Sequence, residues 1–310
     1  MAIVLLDVRF RVFLAATLLL PLCVTAGPSD PAAHRGAIEE WRATRIANLT
    51  SGTGWLTLVA LHPLQTGTTT FGRARGNDFR LDHPSLASRA GAFEVSDGTV
   101  RFVSRRGSGI THDGAKITSL TLEPDTSGSP TVLAAGPLRF FVIDRDGKRY
   151  VRVRDVEHPL RRQFAGLDYF PIRSEWILDA RFEPYDPPRR ITIIDILGEE
   201  RAMSAPGALV FEKDGREWRL DAIAEEPGAE QLFIMFADGT SARETYGAGR
   251  FLYVPAPKDG HVQVDFNKAY SPPCAFNEFA TCPLPPPQNR LALRVEAGEL
   301  TYSPSASRSH

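Results

Sequence analysis

Apolar residues recur at helical spacing once, near the start of the chain, and at strand spacing over most of the remainder. Ile38, Trp41, Ile46 and Leu49 fall on one face of a 3.6-residue repeat. Asp30 stands where a capping carboxylate belongs, Pro31 brings a φ already set for the first helical position, and Gly52 and Gly54 end the run. The pattern predicts an amphipathic helix running from Asp30 toward Gly52, with one face packed on another element. Residues 55–61 (W-L-T-L-V-A-L) then read as a strand, or as a short buried segment that joins the helix to a β core.

From Thr68 onward the chain reads as β. Short runs rich in β-branched and aromatic residues occur at 100–103, 138–143, 150–153, 176–182, 191–196, 209–211, 218–222, 232–236, 251–254 and 262–266. Asp97-Gly98, Asp113-Gly114, Asp146-Gly147, Asp214-Gly215 and Asp238-Gly239 predict hairpins or tight turns among them. Strands so closely spaced, without helices between them, predict an all-β, mainly antiparallel chain: two sandwich- or barrel-like units preceded by one helix. A turn-rich stretch at 123–137 sets a boundary near 145. Residues 27–64 are then a helical leader with a first buried segment, 65–145 a first β unit, 146–302 a second, and 303–310 a loose polar tail.

Composition narrows the classes. With 43% hydrophobic residues, 24% charged residues and a net charge of −1 over 310 residues, the chain has too many apolar side chains and too little charge for a disordered protein. A near-zero charge also argues against nucleic-acid binding, which needs a basic stripe to neutralise phosphates. Gly and Pro together make about 16% of the chain, against a usual ~12%, which suits many turns.

The first segment is read as an address. Arg9 and Arg11 precede an apolar run from Val12 to Leu22, and Val24-Thr25-Ala26 supplies small residues before a cut. Residues 1–26 are the pattern of a secretory signal peptide cleaved after Ala26. The run falls short of the ~20 residues needed to cross a bilayer core, and Leu22 before Cys23 is too large for lipid attachment. The expectation is an exported protein, periplasmic or secreted, with no membrane span once the signal is removed. Cleavage leaves two cysteines, Cys274 and Cys282. In an oxidising compartment these are expected to form a disulfide; a thiolate metal site is the alternative, and no adjacent His supports it.

Phe71-Gly72-Arg73, the Asn77–Asp82 stretch, Ser88-Arg89, Asp97-Gly98, Gly107-Ser108-Gly109 and Asp113-Gly114 resemble in order the start of a forkhead-associated sandwich. The resemblance spans residues 68–118. Such domains use the equivalents of Arg73 and Ser88 to hold phosphothreonine, but Gly91 stands where they carry a structural His. The resemblance implies a related fold and not phosphopeptide reading.

The densest unusual stretch runs from Thr245 to Glu299. It holds Thr245-Tyr246-Gly247, Asp265-Phe266-Asn267, Pro272-Pro273-Cys274-Ala275-Phe276, Cys282-Pro283-Leu284-Pro285-Pro286 and Ala297-Gly298-Glu299. In these motifs the C-terminal half resembles the uncharacterised family known as domain of unknown function 1684, found in bacteria and archaea. Trp41 with Arg45, and Gly54-Trp55-Leu56, resemble the leader of its longer members. Ser271 departs from the Asn that many relatives carry. The resemblance implies kinship and architecture, and no reaction.

A candidate site follows from the residues themselves. Asp265 and Asn267, two apart, would share one face of a strand, with Tyr270 just past its end. Six prolines between 272 and 287 stiffen the adjoining loop, and Arg250, Asn289 and Arg290 could converge on it. Such a cup suits a glycan or a carboxylated small molecule. The same residues also suit internal hydrogen bonding of a long irregular loop. No Gly-x-Ser-x-Gly elbow, His-Glu-x-x-His or phosphate loop occurs. The seven histidines are scattered singly, and no cofactor or metal is expected. The reading is an exported protein that binds a small polar ligand or envelope component at the Pro-rich loop. The alternative is a hydrolase or lyase acting on envelope glycans or esters through Asp265.

Overall fold

The structure is a computed structural model that describes residues 30–303. The signal-peptide reading of 1–26 and nearly all of the expected tail lie outside the described residues. Helix α1 (Pro31–Thr50) forms where its periodicity places it. The Asp30 carboxylate accepts from the Ala32 amide at 3.0 Å, satisfying one of the free N-terminal donors. Ile38 and Leu49 are buried on its apolar face. The expected 55–61 segment divides: Trp55–Thr57 is a 3₁₀ turn, and the strand starts at Leu58.

The first β unit contains β1 (Leu58–Leu64), β2 (Gly67–Gly72), β3 (Phe79–Arg80), β4 (Gly91–Ser96), β5 (Thr99–Ser104), β6 (Thr111–His112), β7 (Ala115–Lys116), β8 (Ser119–Leu122), β9 (Leu133–Ala135), β10 (Leu138–Arg145) and β11 (Lys148–Asp155). They make two sheets, ordered β1-β11-β10-β9-β6-β7 and β3-β2-β4-β5-β8. Every pairing is antiparallel except β2 with β3. Between the sheets Phe71, Phe93, Phe102 and Phe140 are fully buried, with edge and tilted ring contacts such as Phe93–Phe102 at 4.9 Å. Because β1 pairs with β11, this sandwich takes in residues on both sides of the expected limits. The boundary near 145 falls in the turn of the β10–β11 hairpin, whose strands pair from Leu138 with Asp155 to Arg145 with Lys148.

The second unit contains α2 (Pro159–Gln163), β12 (Ile177–Ile194), β13 (Glu200–Lys213), β14 (Arg216–Ala224), β15 (Gln231–Phe236), β16 (Arg250–Pro255) and β17 (His261–Asp265). The sheet order is β16-β15-β14-β13-β12-β17. Its two edges approach each other through a backbone bridge in which Phe251 and Tyr270 exchange hydrogen bonds of 2.8 and 2.9 Å, so the sheet nearly closes into a barrel. Alternation along the strands sorts the side chains. Leu232, Ile234, Phe236, Leu252, Val254, Val262 and Val264 fill the inside together with Phe266 and Trp176. Phe233, Met235 and Phe251 face outward, where Leu58, Ala280 and Cys282 pack on them. The mainly antiparallel all-β class with one leading helix is thus what the chain forms.

Four of the five Asp-Gly pairs close hairpins with both residues left-handed, the Asp φ between 48° and 55° and the Gly φ between 69° and 86°, the geometry of a type I′ turn. Asp259-Gly260 forms a further turn of the same kind, with φ of 51° and 77°. Asp238-Gly239 does not. There the carboxylate is buried and the glycine has no positive φ; a Cβ at Gly239 would meet Arg294 Cγ at 2.7 Å. Cys274 and Cys282 are joined by a disulfide with a Cα–Cα distance of 6.1 Å. Closing so short a loop contributes about 2.5 kcal/mol by the loop-entropy relation.

Candidate functional site

Tyr270 alone among the six expected site residues lines the cleft between α1 and the second unit's sheet. Four others are committed to the fold. Arg250 is fully buried: its guanidinium donates to the Val295 carbonyl at 2.9 Å, to the Ala297 carbonyl, and to Asp238 Oδ1 at 3.2 Å. Burial pushes its pKa down, and Asp238 opposes that shift. Asn289 accepts from the Asp221 amide at 2.7 Å and donates to the carbonyls of Asp221 and Met235. Asn267 accepts from the Arg173 amide and donates to its carbonyl, both at 3.0 Å. Both carboxamides are fully buried and fully matched, Asn289 to backbone and Asn267 to backbone and the Asp265 carboxylate, which leaves neither free for a ligand.

The shared strand face expected for Asp265 and Asn267 is not formed either. β17 ends at Asp265 and the chain turns into a 3₁₀ helix, Phe266–Lys268, which Asp265 caps by accepting from the Asn267 amide. The other Asp265 oxygen lies 2.8 Å from His34 Nε2 on α1. Arg290 is exposed at the end of a neighbouring turn. Arg73 and Ser88, singled out in the first unit, are also exposed, on the loops that follow β2 and precede β4.

The cleft has a volume of about 670 Å³ and lies between α1, the outward face of β15 and β16, and the disulfide loop. Trp41 and Asn48 of α1 form one wall with Trp55 beyond the helix. Phe233, Phe251 and Tyr253 supply the floor, and Tyr270 with the Cys282-Pro283 segment supplies the far side. Strand alternation puts those three floor residues on the same outward face. The Tyr253 hydroxyl donates to Glu225 at 2.8 Å. The Tyr270 hydroxyl has no protein partner among the described residues, and burial raises its pKa above the ordinary tyrosine value.

Helix α1 is fixed over this cleft by polar contacts. Arg45 donates to Glu299 Oε2 at 3.2 Å and to the Ser271 carbonyl at 2.7 Å, with its guanidinium 4.6 Å from the centre of the Tyr270 ring. Glu299 is fully buried and also accepts from the Ser271 amide. Burial pushes its carboxyl pKa up, and the nearby Arg45 opposes this. Arg42 donates to the Phe170 carbonyl at 3.1 Å. The ring of Trp41 sits 6.2 Å from that of Tyr270.

The sequence reading of the site missed Trp41, Trp55, Tyr253 and Glu225. Trp41 read as one more apolar residue of a packing face, although Trp41 with Arg45 and Gly54-Trp55-Leu56 already stood out as leader elements. What the arrangement offers chemically is an aromatic-walled groove with hydroxyl, amide and carboxylate groups along it.

The model of the family described as "Protein of unknown function (DUF1684)" matches residues 162–300, the second β unit from the end of α2 through the disulfide loop to Leu300. Among curated proteins there is no match. An uncharacterised protein of Haloarcula marismortui, solved by solution NMR, is 31% identical; the alignment covers 47% of this chain and 80% of that one, with a TM-score of 0.38. EmbR of Mycobacterium tuberculosis, solved in complex with a low affinity phosphopeptide, is 16% identical over 40% of this chain and 32% of its own, with a TM-score of 0.20. The family match takes in the Pro- and Cys-rich motifs of the loop: through residues 162–300 the chain belongs to the DUF1684 family of proteins of unknown function.

Proposed function

We propose that this is an exported protein that binds a small polar ligand with apolar ring faces, a glycan or a fragment of one, in the cleft beneath α1. The observation that carries the reading is the cleft itself. Two tryptophans, two tyrosines and two phenylalanines line it beside Asn48, Glu225 and the unpaired Tyr270 hydroxyl. Sugars present C–H faces that stack on aromatic rings and hydroxyls that pair with amides and carboxylates. Asp265 holds His34 and Asn267 and does not line the cleft, so no observation favours a hydrolase built on it.

Tryptophan fluorescence tests the binding. Titration with a panel of soluble oligosaccharides is expected to give saturable quenching. Trp41→Ala should weaken it at least tenfold, about 1.4 kcal/mol, with an unchanged circular dichroism spectrum. No saturable change with any member of the panel, or equal affinity in the variant, overturns the reading. Export is tested separately by expressing the full chain with its own N-terminus and measuring the intact mass in each cell fraction. A product beginning at Gly27 outside the cytoplasm is expected; an uncut cytoplasmic chain overturns it.

A further inference from the structure

Where the two β units meet, a second cleft of about 370 Å³ adjoins the first and shares Arg201, Thr281 and Pro283 with it. Behind that wall, β11 carries Arg152 and Arg154, two apart and so on one face of the strand. Their guanidinium carbons lie 5.5 and 5.9 Å from the centre of the Trp55 ring. Arg152 is only 4% exposed. Its Nη2 reaches Thr281 Oγ1 at 3.4 Å, its Nε has no partner, and no carboxylate pairs with it among the described residues. Arg154 donates to the Thr53 and Gly54 carbonyls and to the Thr57 hydroxyl, again without a carboxylate. Arg201 is exposed in the wall, and the one hydrogen bond its guanidinium makes among the described residues is to Met203 Sδ at 3.6 Å.

Nearby carboxylates are mostly engaged elsewhere. Asp125 pairs with Arg145, Glu199 with Lys148, and Asp195 accepts from the amides of Leu197 and Glu199. Asp146 and Glu200, on the rim of the second cleft, pair with none of the three arginines. An arginine keeps its proton under ordinary conditions, and burying one without a counter-charge is costly. Burial, with like charge from Arg145 and Arg154 added to it, pushes the Arg152 pKa down to about 10. Although Asp146, Asp195, Glu199 and Glu200 also line the second cleft, Arg152 and Arg201 make no ion pair with any carboxylate among the described residues.

We propose that this shared wall is a binding site for an anionic group (carboxylate, phosphate or sulfate), contacted by Arg201 and the Thr281 hydroxyl, with Arg152 supplying the charge behind them. The site stands without the glycan reading. Where both hold, the ligand is an acidic sugar or a sugar phosphate whose ring lies on the aromatic floor while its charge reaches the wall.

Inorganic sulfate is the probe. Thermal unfolding and calorimetry of the mature chain, at ionic strength matched with sodium chloride, are expected to show saturable stabilisation by sulfate. Arg201→Gln, an exposed change that leaves the core untouched, should weaken sulfate binding at least tenfold. Arg152→Met should do the same and be at least as stable as the parent in the absence of sulfate. Sulfate also stabilises folded proteins non-specifically, so an equal rise in parent and Arg201→Gln overturns the site, as does the absence of saturation. Should Arg152→Met not fold, Arg201→Gln decides alone. Glucuronate and glucose 1-phosphate then identify the source of the charge by displacing bound sulfate where glucose does not. Saturable sulfate binding that neither displaces overturns the link to the aromatic cleft and leaves the anion site standing.

Discussion

Asp238→Ala is expected to destabilise the protein by about 3–5 kcal/mol, read as a lower urea midpoint with an unchanged slope. Asp238 and Arg250 are both fully shielded from solvent. Removing the carboxylate leaves a guanidinium in the interior with only carbonyls and the Thr240 hydroxyl as partners. It also strips the Val295 and Thr240 amides of the acceptor they share, at 2.7 and 3.2 Å. The double variant Asp238→Leu with Arg250→Met should recover most of the loss, because replacing both partners of a buried pair by apolar groups avoids the unpaired charge. A loss below about 1 kcal/mol for Asp238→Ala, the range of a surface pair, would mean that water reaches the guanidinium. Neither residue lines the cleft, so oligosaccharide quenching by the folded fraction should be unchanged.

The same aspartate shows where sequence reading stops. Asp238-Gly239 looks identical to the four pairs that make hairpin turns, and local chemistry alone sends it there too. What redirects it is Val295, 57 residues later, together with a buried arginine. Asn267 and Asn289 carry the same lesson, since their backbone partners lie 94 and 68 residues away. A polar residue in an irregular Pro-rich loop looks the same whether it waits for a ligand or ties down a distant strand. Strand alternation, the Asp30-Pro31 helix start and the I′ turns rest on neighbours in sequence and were therefore legible. Trp41 and Trp55 come to line the cleft only because α1 docks across the outward face of the second sheet, which no local pattern states. The Pro- and Cys-rich loop that stood out in the sequence forms one side of the cleft through Tyr270, Cys282 and Pro283.

Glu299 is the second position where one substitution should have a large effect, and its effect depends on pH. Glu299→Ala is expected to cost about 3–5 kcal/mol, because Arg45, itself mostly buried, loses its carboxylate and the Ser271 amide loses its acceptor. Glu299→Gln keeps the shape and removes the titration. Burial raises the carboxyl pKa in the folded state above the ~4.3 of an unfolded chain. Between those two values the folded form binds the extra proton, so the stability contributed by Glu299 is full below the unfolded pKa and declines as pH rises through the folded one. The difference in unfolding free energy, parent minus Glu299→Gln, should therefore fall as pH increases above that lower limit and then level off. A difference that is flat, or that grows with pH, would mean that Arg45 outweighs desolvation and keeps the carboxylate ionised. Either way, Arg45 holds the Tyr270 ring at 4.6 Å. Glu299→Ala should thus weaken oligosaccharide quenching in its folded fraction, whereas Asp238→Ala should not. That contrast separates a residue that shapes the cleft from one that only holds the barrel together.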